Sequence, residues 1–391
     1  MKILCVTGTL AGGGAERQLV NLARGFKEGG HEVSFLVLGH SAETNFYGHL
    51  LEEAGVPLIV AGLGGTLPDK MLSRFTLGRI LARSLRIRRR IKEFDADVVL
   101  SFLWPANLQV IFAGFPLRSW GLAVGERSAN EAFFHSRKGR SVLSAYRFAD
   151  AVVTNSFANA KMIAGVRPFL SPKLHTIYNS VDFDTFKPSP EYTPRQGGKT
   201  LIVVAATLRS LKNAGRLAQA IASLEPECRE KLRVEWYGHR SSTEPKEYDE
   251  VRKTISGLGI GEQFRLMGPS NEIAKAYRQA DFVGLFSVLE GLPNGVCEGM
   301  ACGKPILTSD VSDARKLVEE GRNGFVCDPL DVASIAGVLR FAVRAKDEEI
   351  LEMGRCSREK AERLFGGGSA VSKYAGLLAG LVRKPRQANL K

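Results

Sequence analysis

Short apolar strands alternate with amphipathic helical stretches along almost the whole chain. This alternation predicts parallel sheets covered by helices on both faces. It pauses after Asp184 in residues 187–199 (KPSPEYTPRQGGK), whose density of proline and glycine is typical of a linker. We therefore predict an α/β protein with two doubly wound, Rossmann-like domains that face each other across a cleft. The predicted ranges are 1–187 and 188–365, followed by a C-terminal segment, 366–391.

A length of 391 residues exceeds one ordinary hydrophobic core, which agrees with two domains. In the first series, strands are predicted at 3–7, 33–38, 58–61, 98–102, 122–125 and 151–154, and helices at 15–28, 46–54, 76–94 and 140–148. In the second series, strands are predicted at 201–205, 233–237, 263–267, 282–286, 305–308 and 324–327, and helices at 213–223, 248–257, 271–279 and 332–345.

The chain has a formal net charge of +13 and an isoelectric point near 9.5. This surplus indicates an anionic partner, which leaves nucleic acid, an anionic membrane surface and a phosphorylated substrate open. The six cysteines form no CxxC pair and have no histidine cluster nearby, so neither a zinc site nor a disulfide framework is supported. We expect reduced cysteines, as in the cytosol.

Membrane insertion and secretion are not expected from the sequence. No apolar run approaches the ~18 residues that a membrane-spanning helix needs. The chain begins directly with a predicted strand, so we expect no signal peptide. The predicted location is cytoplasmic, peripheral at the inner face of the cell membrane.

The most informative motif runs from Ser287 to Pro305 (SVLEGLPNGVCEGMACGKP). It places Glu290 and Glu298 at either end of a glycine-rich turn, between an apolar strand and a small-residue helix at 297–302. Such a turn presents N–H groups and the positive end of a helix dipole, which suits a phosphate or a sugar. Ionised carboxylates only accept hydrogen bonds, so a ligand with hydroxyls fits the pair. A sugar nucleotide is such a ligand, and a capped, solvated helix start is the alternative.

The same segment resembles the E-x7-E signature of the retaining GT4 glycosyltransferases, including the EG-x-PN turn and the EGMACGKP continuation. Four further blocks resemble this family: GGGAERQLVNLA, GERS, the ADAVVTNS…IYNSVD…FKP region and ATLRSLKN. The resemblance extends over nearly the whole chain and implies the GT-B fold. It also implies that a helix at 369–382 crosses back to pack on the first domain.

The resemblance assigns roles to the motif. Glu298 would accept hydrogen bonds from the ribose hydroxyls of the donor. Glu290 would hold the sugar, without acting as a nucleophile, because we expect retention through attack on the same face. The backbone of the turn would assist, and its residues are Gly291, Leu292, Pro293 and Asn294.

Arg209 and Lys212 follow the first strand of the second domain, where two cations suit a diphosphate. They resemble the family's L-R-P-x-K-N variant, and with Glu290 they are the predicted catalytic residues. Many members place the arginine two positions earlier, where this chain has Thr207, so Lys212 is the safer assignment. A pair of exposed loop cations is the alternative.

A second glycine-rich turn precedes the first predicted helix and contains Gly12, Gly13 and Gly14. Glycines let the backbone approach a ligand closely, although this is not the GxGxxG dinucleotide fingerprint. In the GT4 family this loop contacts donor phosphates and acceptor, so the three glycines are predicted to bind substrate. A purely structural turn is the alternative.

Glu126 and Arg127 resemble a subset of the family with an SERN-like block, often linked to polyprenyl-diphosphate oligosaccharides. Arg127 is therefore a candidate to bind the diphosphate or the acceptor, and an internal ion pair is the alternative. The roles of Glu126 and of the nearby His135 stay open. Asp182 and Asp184 spell DxD, which we interpret as a domain-boundary turn and not as a metal site.

Arg79, Arg83, Arg86 and Arg90 fall on one narrow face of a predicted helix. Aligned arginines without a matching acidic row repel one another, so this arginine stripe is easier to understand if it meets anions. We expect it to bind the inner membrane surface or the diphosphate of a lipid-linked acceptor. A solvated helix face is the alternative.

We thus predict a retaining glycosyltransferase of cell-surface polysaccharide or lipopolysaccharide synthesis. It would move a hexose or N-acetylhexosamine from a nucleoside-diphosphate sugar, with UDP favoured, to a saccharide or polyprenyl-diphosphate-linked acceptor. We expect no metal, no cofactor and no nucleic-acid partner. A sugar-nucleotide epimerase or phosphorylase of similar architecture is one alternative, although neither an acid–base set nor a pyridoxal-phosphate site is evident. A non-catalytic binder of membranes or nucleic acid, motivated by the charge, is the other.

Overall fold

The structure, a computed structural model, describes residues 1–11, 13–39, 45–61, 76–127, 129–195, 197–366 and 369–383, without the side chains of 76–81 and 369. The chain divides into two compact units. Unit 1 comprises Met1–Ser180 and Gly368–Lys391, and unit 2 comprises Val181–Gly367. The sequence prediction placed the first boundary after residue 187, later in the chain than the division after Ser180. It placed the second boundary after residue 365, slightly earlier than the division after Gly367.

Unit 1 contains a parallel sheet with the order β3-β2-β1-β4-β5-β6-β7. Its strands are β1 Lys2–Thr7, β2 Glu32–Val37, β3 Leu58–Val60, β4 Val98–Phe102, β5 Gly121–Glu126, β6 Ala151–Thr154 and β7 Leu174–Thr176. In β1, Ile3 and Cys5 enter one core cluster and Leu4 and Val6 enter the other. Both faces of the sheet are therefore buried, which explains why its strands are continuously apolar.

Helices cover both faces of this sheet. They are α1 Gly14–Glu28, α2 Gly48–Glu53, α3 Thr76–Phe94, α4 Trp104–Ala113, α5 Glu131–His135, α6 Arg137–Ala145 and α7 Phe157–Val166. Short 3-10 helices lie at Tyr146–Phe148 and Pro168–Lys173.

Unit 2 contains a second parallel sheet, with the order β10-β9-β8-β11-β12-β13. The strands are β8 Thr200–Ala205, β9 Leu232–Tyr237, β10 Phe264–Gly268, β11 Phe282–Leu285, β12 Ile306–Ser309 and β13 Gly324–Cys327. The helices are α8 Ala214–Ala222, α9 Pro226–Glu230, α10 Glu247–Gly257, α11 Ile273–Gln279, α12 Asn294–Ala301, α13 Ala314–Leu317, α14 Val332–Arg344 and α15 Asp347–Phe365.

The last helix, α16 (Ser369–Leu381), packs on unit 1. Tyr374 and Leu378 are buried in the core cluster that contains one face of β1. Gly25 in α1 gives this helix room, because a Cβ at Gly25 would lie 2.5 Å from the side chain of Val371. Within the described residues, no helix combines the length and the apolar character needed to cross a bilayer.

Several elements were missing from the sequence prediction. Helices α4 and α7 are apolar on nearly all sides, so they lack the polar face that marks an amphipathic helix. Strand β7 has only three residues at a sheet edge. Helix α12 begins at Asn294, earlier than the predicted start at 297, so Glu298 lies inside the helix and not beside its first turn.

Candidate functional site

The carboxyl ends of β8 and β11 are neighbours in unit 2, at the point where the strand order reverses. Ligands of doubly wound sheets bind outside the strand ends at such a point. Two hydrogen bonds join the turns that follow these strands. The Val288 N–H donates to the Leu211 carbonyl at 2.9 Å, and the Asn213 side-chain amide donates to the Phe286 carbonyl at 3.0 Å. Asn213 has a φ of 68°, and this left-handed residue ends the 3-10 helix Ser210–Lys212 and starts α8.

Lys212 and Glu290 form an ion pair across these two turns. The Lys212 Nζ lies 2.5 Å from the Glu290 Oε1. The side chains are 23% and 11% exposed, so both charges are largely withdrawn from water. Sequence analysis predicted each residue separately for the donor site, and the structure brings their charged groups together.

Arg209 is also paired, with a residue that sequence analysis did not select. Its Nε donates to the Glu244 Oε1 at 3.1 Å. The other Glu244 oxygen accepts hydrogen bonds from the backbone N–H and the hydroxyl of Ser210, at 2.8 and 2.7 Å. These Ser210 bonds, followed by that from Arg209, lower the pKa of the Glu244 carboxyl. No sequence motif marks Glu244, which lies in the loop between β9 and α10.

A side chain from outside the turn before α12 helps to hold it. The Ser312 hydroxyl donates a hydrogen bond to the Gly291 carbonyl. Leu292 is buried, and the Pro293 carbonyl accepts from the N–H groups of Val296 and Cys297. Asn294 is the first residue of the helix. The turn is thus an ordered start to α12.

Glu298 lies one turn into α12 and is buried, with 8% of its surface exposed. Burial, and secondarily the neighbouring Glu298 charge, raise the pKa of the Cys297 thiol well above its ordinary value. The helix packs closely on β11 because Gly299 has no side chain: a Cβ there would lie 2.7 Å from the Cβ of Val283. Glu298 is therefore held on a helix fixed against the central strands.

The glycine turn of unit 1 lies at the carboxyl end of β1. Gly13 has a φ of −85°, which any residue can adopt, and its N–H donates to the Ala11 carbonyl at 2.7 Å. The Glu16 carboxylate occupies the space where a Gly13 side chain would lie, and burial raises its pKa. Gly14 is the first residue of α1, and Gly12 lies outside the described residues.

Arg127 is buried inside unit 1. Its guanidinium donates to the Asn179 Oδ1 at 3.0 Å and to the Tyr374 hydroxyl of α16, and it lies 3.9 Å from the centre of the Phe102 ring. Burial lowers its pKa. Every one of these contacts is internal to unit 1, which favours the structural alternative for Arg127. Its role in substrate binding stays a prediction.

Glu126 is fully buried and takes part in a polar network. Its carboxylate accepts from the Arg127 N–H at 3.0 Å and from the Tyr146 hydroxyl at 2.8 Å. His135 is exposed and lies 3.6 Å from the Glu131 carboxylate.

The DxD sequence forms a turn, as predicted. The Asp182 Oδ1 accepts from the N–H groups of Asp184 and Thr185, at 3.0 and 3.1 Å. The Thr185 hydroxyl donates to the other Asp182 oxygen at 2.7 Å. Both oxygens of the Asp182 carboxylate thus accept hydrogen bonds from the next residues of the turn.

The arginine stripe lies on α3, with the Arg79 side chain outside the described residues. Arg83 is exposed and Arg86 is half-buried. The expected lack of acidic partners is wrong for Arg90, because Glu93 accepts from it at 2.9 Å and from Arg89 at 2.7 Å. The positive charge of this face is therefore smaller than the sequence indicated.

Comparison with known proteins identifies the fold and the family. Residues 12–185 match the family described as Glycosyltransferase Family 4, and residues 187–360 match Glycosyl transferases group 1. HepE of Anabaena, solved in complex with UDP, superposes with a TM-score of 0.82 at 21% identity, covering 97% of this chain and all of that chain (100%).

Two curated relatives span most of the sequence. The chain is 28% identical to a Campylobacter jejuni α-1,4-N-acetyl-D-galactosaminyltransferase named for an undecaprenol-diphosphate-linked acceptor, over 88% of this chain and 89% of that protein. It is 27% identical to D-inositol 3-phosphate glycosyltransferase 1 of Catenulispora acidiphila, over 92% and 89%. The chain belongs to the GT4 family of glycosyltransferases, enzymes of the GT-B fold.

Proposed function

We propose that this enzyme transfers a hexose or N-acetylhexosamine, with retention, from a UDP-sugar to a lipid-linked saccharide. The observation that carries the proposal is the Lys212–Glu290 ion pair beside the start of α12, with Glu298 one turn further on. The pair follows β8 and β11, the strands at the topological switch point of unit 2, which supports a donor site there.

The cations of the site would stabilise the leaving group in such a reaction. When the bond from sugar to diphosphate breaks, negative charge grows on the departing nucleoside diphosphate. Lys212 stabilises that charge, and Arg209 adds a second cation at the edge of the site. The ion pair with Glu290 holds Lys212 at this turn before the donor binds, and the diphosphate then replaces Glu290 as the partner of the lysine.

The carboxylates recognise hydroxyls. Glu290 accepts hydrogen bonds from the sugar, and Glu298 accepts them from the ribose. The ordered turn from Gly291 to Asn294 supplies backbone groups beside them. No metal is assigned a role, since the two cations carry the diphosphate charge.

UDP and a lipid-linked acceptor are supported by the relatives. HepE was solved with UDP and with UDP-glucose, and the Campylobacter jejuni enzyme is named for an undecaprenol-diphosphate oligosaccharide. A lipid-linked acceptor requires the enzyme to work at a membrane. We propose peripheral association with the inner face, aided by Arg83, Arg86 and Arg90 of the stripe.

The donor is tested by thermal unfolding with UDP, GDP and ADP and by transfer from the corresponding sugars. A nucleotide at a hundred times its Kd should add ~2.7 kcal/mol to the free energy of unfolding. We expect this effect for UDP, and we expect Lys212→Met to reduce it to ~0.4–1.4 kcal/mol at the same UDP concentration, because the variant should bind UDP tenfold to a hundredfold more weakly. The exposed Lys253 of α10 provides a matched control, because Lys253→Met removes one charge from a residue that is not among the predicted donor contacts.

The acceptor is tested with a polyprenyl-diphosphate oligosaccharide and the same oligosaccharide released from its lipid. Transfer to the lipid-linked form, lost in Glu290→Gln, supports the proposal. UDP-sugar turnover to an epimer or to a sugar phosphate, with no transfer to any saccharide, contradicts it.

A further inference from the structure

An apolar surface lies at the amino-terminal edge of the unit 1 sheet, away from the glycine turn. Its residues precede β5, β6 and β7, whose amino ends lie side by side in the sheet. Large apolar side chains there have 45–70% of their surface exposed. We call this set the aromatic rim, and it consists of Phe115, Leu117, Phe148 and Phe169. Adjacent exposed apolar groups of this size mark an interaction site, whereas scattered ones need no explanation.

The rim is contiguous. The rings of Phe115 and Phe148 meet edge to face, with centres 4.8 Å apart. The exposed guanidinium of Arg147 lies 5.8 Å from the centre of the Phe148 ring and 5.3 Å from that of Phe169. Three loops distant in sequence therefore present one surface with a cation in its middle.

Basic side chains satisfy the carbonyl groups of these loops. Arg88, on the face of α3 beside the stripe, donates to three carbonyls, those of Ala113, Phe115 and Leu117, at 2.9, 2.9 and 2.6 Å. In the same way, the Phe148 carbonyl accepts from Arg118 at 2.8 Å.

Lys173 continues this pattern, donating to the carbonyls of Arg147 and Ala149 at 2.6 and 2.8 Å. A loop that enters a lipid interface must keep its polar backbone groups satisfied without water. At these six carbonyls, the rim meets this requirement with donors from its own unit.

The charged residues around the rim distinguish between an anionic partner and a second copy of this chain. Arg147 is exposed in the rim, and Lys92 is exposed on α3, the helix whose Arg88 binds the rim loops. Arg89 of the same helix is exposed too, but it is paired with Glu93 at 2.7 Å. Asp150, an acidic neighbour, is already paired with Arg118 at 2.7 Å and Arg383 at 3.2 Å. A second copy of this chain, itself at +13, would bring the same positive surface against the rim, which disfavours a self-interface.

We propose that the aromatic rim is a docking surface for an anionic lipid bilayer. Phenylalanine and leucine side chains enter the headgroup–acyl boundary, and Arg147 and Lys92 lie against lipid phosphates. This surface is distinct from the arginine stripe, so the membrane association proposed above is carried mainly by another face of unit 1.

The location of the rim has a consequence for the acceptor, which rests on the proposed function. The rim lies at the amino-terminal edge of the unit 1 sheet and the glycine turn follows the carboxyl end of β1, a strand of six residues that spans ~20 Å. An enzyme docked by the rim holds its strand ends away from the bilayer. It therefore suits an acceptor whose growing end already stands off the membrane on several sugars.

The first experiment is sedimentation with vesicles of phosphatidylglycerol and phosphatidylcholine, compared with phosphatidylcholine alone. Phe115→Ser combined with Phe148→Ser should weaken binding to the anionic vesicles about tenfold or more, and Arg147→Glu should do the same. Phe157→Ser is the matched control, because Phe157 is equally exposed at the opposite edge of the sheet. The thermal shift with UDP must be unchanged in all variants, which separates docking from folding and from the donor site.

The second experiment locates the contact. An environment-sensitive nitrobenzoxadiazole label at Leu117→Cys should shift to the blue on anionic vesicles, and the same label at Phe157→Cys should not. The background carries Cys356→Ser, since the other five cysteines are buried.

Wild-type binding to vesicles in the rim variants, or its loss only in a variant with Arg83, Arg86 and Arg90 reversed, overturns the proposal. So does concentration-dependent self-association that the rim variants abolish. If UDP stabilises the protein and the rim variants bind anionic vesicles as well as the wild type does, only this inference is lost and the proposed function stands.

Discussion

Lys212 and Glu290, 78 positions apart in the sequence, are joined by a 2.5 Å ion pair in the described structure. Each of the two groups predicted for the donor thus has the other as its partner. A diphosphate that binds Lys212 must compete with the Glu290 carboxylate, and a sugar hydroxyl that reaches Glu290 must compete with the lysine. Donor binding therefore exchanges one set of charge contacts for another.

This competition predicts opposite effects on UDP and on catalysis. Glu290→Gln should bind UDP more tightly, by up to about tenfold, because Lys212 loses its competing carboxylate. The same variant should lower kcat for transfer by roughly a hundredfold or more, since the sugar loses a charged acceptor. Calorimetric titration with UDP and steady-state transfer assays measure the two effects. Weaker UDP binding in Glu290→Gln would show that the carboxylate supports the nucleotide and does not compete with it.

Arg209 should contribute less than Lys212. It is more exposed, and Glu244 neutralises it at the edge of the turn. We expect Arg209→Met to weaken UDP binding by less than about tenfold and Lys212→Met by roughly tenfold to a hundredfold. Glu244→Gln, which releases Arg209, should strengthen UDP binding slightly, most clearly at low salt. Equal losses for the two cation variants would contradict this ranking.

The sequence predicted the strands well because buried parallel strands are continuous apolar runs bounded by turns. It also selected Lys212, Glu290 and Glu298, because their motifs are local. It could not predict that Lys212 and Glu290 pair, nor that Glu244 holds Arg209, because these contacts arise only when distant turns meet. Arg127 illustrates the same limit: GERS marked the residue, but only the packing of α16 placed Tyr374 against it.

We expect Arg127 to contribute mainly to the free energy of unfolding. Arg127→Met leaves Glu126 buried without its neighbouring cation and removes the hydrogen bonds to Asn179 and Tyr374. We expect a loss of ~3 kcal/mol in the free energy of unfolding, and ~1 kcal/mol for Tyr374→Phe. Urea unfolding measures both, and UDP binding should be retained in the folded variants. A stable Arg127→Met protein that loses activity on the lipid-linked acceptor would instead support substrate binding.

Gly299 should be intolerant of a methyl group in this chain. The Cβ of Gly299→Ala would meet Val283, so α12 must move away from β11 or strain its contact. We expect a cost of ~1–3 kcal/mol in stability and a weaker response to UDP, because Glu298 moves with the helix. Val283→Ala should partly restore both in the double variant. If the two changes are simply additive, Val283 is not the obstacle.

Lys304 should make stability depend on pH in the alkaline range. Its side chain is buried, with the Nζ 2.9 Å from the centre of the Tyr192 ring, and burial lowers its pKa to about 7. In the unfolded chain the pKa of lysine is about 10.4. Between these values the unfolded state binds the extra proton, so the free energy of unfolding rises as pH increases from about 7 to about 10. Below about pH 7 both states are protonated, and the cost of burying the charge is fully present.

Lys304→Met isolates this effect. The wild-type free energy of unfolding minus that of the variant should rise with pH by on the order of 1–3 kcal/mol across that window, because the variant has no proton to lose there. Urea unfolding of both proteins at several pH values measures the difference. If the difference stays constant with pH, Lys304 reaches water in solution. If the difference falls as pH rises, the ammonium is stabilised inside the protein, and Asp281 is then the candidate for its counter-ion.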